Sequence, residues 1–180
     1  MNMEQFLSDT DIKNMVPDIK IYVYSKLKKI KHMEEILPND TSKICILYET
    51  EPAYQGVSIG HWVCLFNTYD KGKPYIEFFD SYGTYPDDEL IKTIYKGPGI
   101  LDRLILDFRD RGGLVQYNDY KLQSAAANVN TCGKHCVMRL RNNDIDIDSY
   151  KKYLDMIPIN INSSNITKKY DLIVNAYYNY

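Results

Sequence analysis

Between residues 19 and 80, apolar and polar positions fall into a β-like pattern. Ile19, Ile21 and Val23 alternate with Lys20, Tyr22 and Tyr24, the two-residue period of a half-buried strand. Three denser apolar segments follow, at Lys43–Glu49, His61–Asn67 and Pro74–Asp80. The last two are joined by Tyr69-Asp70-Lys71-Gly72-Lys73, a short, polar, glycine-containing link that predicts an antiparallel hairpin. In that hairpin His61 opens one strand and Asp80 closes the next, so both fall at the same edge of the sheet.

Helical spacing governs most of the rest. A short helix is predicted over about residues 3–15, ended by Pro17, and a helical turn over Met33–Leu37. Pro86-Asp87-Asp88 is placed to cap a helix running to about Tyr95, with acids in its first turn. Leu101, Leu104, Ile105 and Phe108 recur at helical intervals before the Gly112-Gly113 break. Val115 to Leu122 reads as extended and delivers Gln123 at its end. From Cys132 onward, Cys136, Val137 and Leu140 mark a helix with the cysteine at its beginning. Asp146–Met156 predicts another helix; Asn165–Tyr177 fits a helix or, through Leu172-Ile173-Val174, a strand.

Composition narrows the class. A chain of 180 residues and 21.0 kDa without repeats or long low-complexity linkers suits one domain spanning 1–180. Its 44% hydrophobic and 13% aromatic content is far from that of disordered chains. The net charge of −2 gives no global case for nucleic-acid binding, and the lysines at 26, 28, 29 and 31 read as a solvated face. Met1-Asn2-Met3-Glu4-Gln5 lacks a basic region before an apolar run, so no secretory leader is expected, and no apolar run is long enough to span a membrane. Cys45, Cys64, Cys132 and Cys136 are therefore expected as free thiols, and the sequons at Asn162 and Asn165 as unmodified.

The candidate chemistry centres on Asn130-Thr131-Cys132-Gly133-Lys134-His135-Cys136. A free thiol is only slightly ionised at neutral pH, and both a helix N-terminus and a neighbouring imidazolium favour the thiolate. His61, in Gly60-His61-Trp62-Val63, is the candidate base; Asp80, in Phe78-Phe79-Asp80-Ser81-Tyr82-Gly83, the group that orients it; Gln123 the candidate oxyanion donor. Each has a plainer reading: a buried small hydrophobe, a half-buried strand histidine, a turn-forming aspartate, a solvated loop glutamine. Trp62 would pack beside the site or serve as core, and Gln116 is the weaker donor candidate. His135 reads as a helix-surface residue and Cys136 as a buried filler. Cys132 and Cys136 share a helix face and, with His61 and Cys64, make a zinc tetrad conceivable. The spacing is not that of a usual zinc pair, and a metal would consume the nucleophile.

Taken together, His61-Trp62, Phe79-Asp80-Ser81-Tyr82-Gly83, Gln123 and Thr131-Cys132-Gly133-x-x-Cys136 resemble the adenovirus-protease and ubiquitin-like-protein protease clan. The closest style is that of the small adenain-like maturation proteases of large DNA viruses and virophages. The resemblance covers roughly residues 40 to 142. It implies an α+β fold, distantly papain-like, in which a mixed, largely antiparallel sheet packs on a central helix carrying Cys132. It further implies cleavage of viral capsid or core precursors at small-residue, often glycine-containing, sites during virion maturation, with no cofactor, in the virion and infected-cell cytoplasm. The gap from Gln123 to Cys132 exceeds that usual in the clan, so either the Ala125-Ala126-Ala127 loop bulges or another residue is the donor. DNA activation, known for the adenovirus enzyme, is not expected of this acidic chain; an activating peptide is left open. The competing readings are a deconjugating isopeptidase of the same clan, a same-clan acetyltransferase and a non-catalytic zinc module.

Overall fold

The computed structural model describes residues 6–49, 60–88, 99–126, 129–159 and 166–178. Five strands form one sheet in the order β1-β2-β3-β4-β5: β1 (Lys20–Val23), β2 (Lys43–Glu49), β3 (Gly60–Asp70), β4 (Lys73–Phe79) and β5 (Val115–Tyr117). The β2–β3 and β3–β4 pairs are antiparallel, while the edge strands β1 and β5 join in parallel. The helices are α1 (Asp9–Met15), α2 (Ile100–Asp110), α3 (Cys132–Arg141), α4 (Ile147–Met156) and α5 (Ile166–Tyr177). Two short 3₁₀ helices cover Tyr24–Lys29 and Met33–Glu35. The α+β fold with a mixed sheet on a cysteine-bearing helix is thus the one the sequence resemblance implied.

Alternation along the strands divides the core in two. Cys45, Leu47, Trp62, Cys64, Phe66 and Phe79 face one way, onto α1, α3, α4 and α5. Ile44, Ile46, Tyr48, Val63, Leu65, Ile76 and Phe78 face the other, onto α2 and the 3₁₀ helices. Covering on both faces explains why β2 and β3 read as nearly continuous apolar runs.

The structure adjusts several boundaries. The hairpin pairs Asp70 with Lys73 around a two-residue turn, Lys71-Gly72, with φ of +48° and +79°. That turn matches the strand twist, so β3 runs to Asp70 rather than Asn67. Helix α1 starts only at Asp9 because Ser8 caps it in a reciprocal capping box with Asp11. Strand β5 stops at Tyr117, short of the extended run predicted to Leu122. There Asn118 takes over through its side chain, donating to Asp80 O (2.5 Å) and accepting from Tyr120 N (2.9 Å). The ambiguous C-terminal segment is helical. The helix predicted toward Tyr95 falls, beyond residue 88, outside the described residues. Asp87, with φ +64°, accepts from Asp102 N (2.9 Å) in the first turn of α2.

Helix α3 is pinned to the sheet by a buried ion pair. The Arg139 guanidinium donates two 2.7 Å bonds to Glu77 of β4, both side chains being fully buried. It also donates to the carbonyls of Asn142 and Ile145, and it lies 5.0 Å from the ring centres of both Phe66 and Tyr150. The Cys132-bearing helix therefore has a fixed position against β4, whose last residue precedes Asp80.

Candidate active site

Neighbouring strands deliver the first two candidates. His61 is the second residue of β3 and Asp80 directly follows β4, and the antiparallel register brings their side chains together. His61 Nε2 lies 2.8 Å from Asp80 Oδ1, with both residues buried. The carboxylate also accepts from Tyr82 N (2.8 Å) and Thr84 Oγ1 (2.5 Å). Asp80 is thus at once the turn former and the imidazole's partner, the two readings its sequence context allowed. The His61 ring stacks on Tyr82 at 4.7 Å and 19°.

Cys132 is the first residue of α3 and is buried, with its thiol near enough to the His61 side chain to help raise the imidazole's pKa. With Nε2 engaged by Asp80, the ring's Nδ1 is the nitrogen left for sulfur. Burial alone would lower the imidazole's pKa. The charge and hydrogen bond of Asp80 outweigh it, helped by Cys132, and raise His61 well above its ordinary 6.5. Burial likewise favours the neutral Asp80, but His61, Thr84 and the Tyr82 amide hold its carboxyl below the ordinary range. The arrangement therefore favours a charged imidazolium beside the Asp80 carboxylate.

Trp62 and Gly133 shape the space beside the sulfur. Trp62 Nε1 donates to Leu7 O at 3.0 Å, holding the segment before α1 against the start of α3. A Cβ on Gly133 would sit 3.1 Å from Leu7 Cβ and 3.2 Å from Trp62 Cδ1, so a larger residue there would crowd both.

Gln123 is buried, not a solvated loop residue. Its Oε1 accepts from Ser81 Oγ (2.7 Å), which turns its NH₂ toward Tyr82 OH and Val129 O, each at 3.3 Å. It is joined to the His61 side of the site through Tyr82 and to the Cys132 side through Val129. Gln116, on β5, is exposed.

Two expectations about the helix itself turn out differently from each other. Cys136 is a fully buried filler as expected, its thiol 3.4 Å from Trp62 O and its pKa pushed well up by burial. It turns toward Cys64 and Cys45 while Cys132 turns to His61, so the conceivable tetrad does not converge. Among the described residues no cluster of three or more metal-ligating side chains occurs. His135, expected on the helix surface, is fully buried. Helix α5 packs over that face of α3, and His135 Nε2 lies 3.1 Å from Asp171 Oδ1. Asp171 escaped notice in the sequence; the one available signal was a carboxylate interrupting the apolar run Tyr170–Val174.

The fold is that of a protease. It overlays on the ASFV pS273R protease with a TM-score of 0.52 at 12% identity, covering 96% of this chain and 67% of that one. A de-sumoylating protease gives a TM-score of 0.35 at 16% identity, over 91% and 68% of the two chains. No protein-family model matches the sequence. The chain is 34% identical over 157 residues to uncharacterized protein V9 of Sputnik virophage, 83% of each chain being covered, and it belongs to the family of that viral protein. No helix among the described residues is long and apolar enough to cross a membrane.

Proposed function

We propose that this protein is a cysteine endopeptidase that cleaves viral capsid or core precursor proteins at small-residue, glycine-containing sites during virion maturation. The observation that carries this reading is the Asp80–His61–Cys132 alignment: a buried carboxylate on an imidazole that stands beside a thiol at a helix start. The protease fold and the virophage relative support it, as does the motif order that resembles the adenain-like proteases.

In this mechanism the Cys132 thiolate attacks the scissile carbonyl, forming an S–C bond as the C=O electrons move to oxygen. The oxyanion is met by the amides of the first turn of α3, with the Gln123 side-chain amide as the second donor once it turns from Tyr82 OH or Val129 O. Collapse expels the amine, which takes its proton from the His61 imidazolium and leaves an acyl-enzyme. Water, deprotonated by the now neutral His61, attacks the thioester and releases the acid and the thiolate. Asp80 keeps the ring oriented and its charged form favoured throughout. No metal or organic cofactor enters any step. Substrates are viral structural precursors, and the site of action is the virion and the infected-cell cytoplasm.

An electrophilic glycine-rich peptide incubated with the full chain should leave a single adduct, mapped by mass spectrometry to Cys132. Cys132→Ala should abolish both labelling and precursor cleavage while leaving the thermal melt close to wild type. Labelling by a ubiquitin-family vinyl sulfone without precursor cleavage would replace this reading by that of a deconjugating isopeptidase. An adduct on Cys136 instead would refute the nucleophile assignment.

A further inference from the structure

Helix α5 turns two polar side chains, Asp171 and Asn175, one helical turn apart, onto the first turn of α3. Lys134 Nζ donates to Asn175 Oδ1 at 2.5 Å. Asp171, buried, gathers three donors. Thr131 Oγ1 donates to its Oδ1 at 2.5 Å, His135 Nε2 to the same oxygen at 3.1 Å, and the Ser124 backbone N–H to Oδ2 at 3.0 Å. These donors are not a random sample of the surroundings. Ser124 follows Gln123, Thr131 precedes Cys132, and His135 lies one turn along the helix that Cys132 begins. One carboxylate thus ties the two segments flanking the 125–130 link.

The Thr131 hydroxyl is used differently from that of an ordinary N-cap. Threonine at a helix N-cap normally accepts a hydrogen bond from a first-turn amide, an interaction worth about 1 kcal/mol. Thr131 occupies the N-cap of α3 with helical backbone angles (φ −100°, ψ 0°), and its side chain makes no capping bond; its hydroxyl donates to Asp171 instead. The amides beside Cys132 are therefore left without a side-chain cap, as a site that must receive a developing oxyanion requires. His135 Nδ1 is buried and has no hydrogen-bond partner among the described residues, so the ring's hydrogen bond there is the one to Asp171.

From this geometry we infer that Asp171 is a positioning residue. It sets the Gln123 segment against the Cys132 segment and engages the Thr131 hydroxyl at the helix start, so that both segments keep their places beside the nucleophile. The inference rests on the peptidase reading for its consequence, but not for its structural content.

The test compares Asp171→Ala, Asp171→Asn and, as a stability control in the same helix, Ile173→Ala. Turnover of a glycine-containing peptide is read together with backbone hydrogen exchange at the Gln123 amide, bonded to Ser81 O, and at the His135 amide, bonded to Thr131 O. Asp171→Ala should lower kcat on the order of 10²-fold, the scale of an ångström-sized misplacement, with little change in KM and faster exchange at both amides. Asp171→Asn, which keeps one acceptor oxygen, should retain more activity than Asp171→Ala. Ile173→Ala should lower the melting temperature yet turn over normally where it is folded. Wild-type kcat in Asp171→Ala, or an equal loss in Ile173→Ala, would overturn the inference. Should the wild-type chain cleave no peptide at all, the peptidase reading fails and exchange alone decides: unchanged rates in Asp171→Ala dismiss the tie, and faster rates uphold it.

Discussion

At the residue scale the electrostatics of Asp80 and His61 determine how activity responds to pH. His61 has its pKa raised above 6.5, so its pairing with Asp80 contributes fully below that value and is lost as pH climbs through the raised one. Asp80 has its carboxyl lowered from 3.8, so its contribution is present above 3.8 and is lost as pH falls through the depressed value. Between those limits the ion pair keeps an imidazolium beside the thiol. Asp80→Asn removes the counter-charge while burial continues to disfavour the charged ring. The alkaline limb of kcat/KM should then move to lower pH. Turnover should fall on the order of 10²-fold or more, the usual share of a positioned acid–base group. An unshifted limb would remove Asp80 from the catalytic assembly.

At the element scale the β3–β4 hairpin matters most, because its register sets the His61–Asp80 distance. Its turn places Lys71 and Gly72 in the left-handed region, and a Cβ on Gly72 would meet nothing within 4 Å. Gly72→Ala therefore isolates backbone strain from packing and should cost about 1–2 kcal/mol in chemical denaturation; no loss would mean that the turn relaxes to another type. The same hairpin shows what was legible in the sequence. The strands and the His–Asp pairing could be read because apolar runs and a glycine-bearing link are local signals. The extension of β3 to Asp70 could not, since lysine replaces the asparagine or glycine that usually announces a two-residue turn. Gln123 was singled out by its place upstream of the cysteine, but its burial against Ser81 and Tyr82 depends on chain 42 and 41 residues away. His135 and Asp171 were misread or missed for the same reason: only the docking of α5 makes a polar face of α3 into an interior.

At the scale of the whole molecule, the site depends on α3 keeping its place on the sheet, and the Glu77–Arg139 pair does most to fix it. Removing one member leaves the other charge buried and unpaired, a cost of about 3–5 kcal/mol. Arg139→Ala should thus lower the melting temperature by roughly 10 °C or more for a chain of this length. It also strands the carbonyls of Asn142 and Ile145, which the guanidinium serves. Replacing both partners, as in Glu77→Leu with Arg139→Met, removes the lone charge but not the stranded carbonyls. The double variant should therefore melt above Arg139→Ala yet below wild type. Its site residues are untouched, so below the melting transition it should retain the His61-dependent pH profile. A double variant no more stable than Arg139→Ala would show that the pair's worth lies in the carbonyl bonds rather than in the charges, and that Arg139 secures the end of α3 opposite the nucleophile independently of β4.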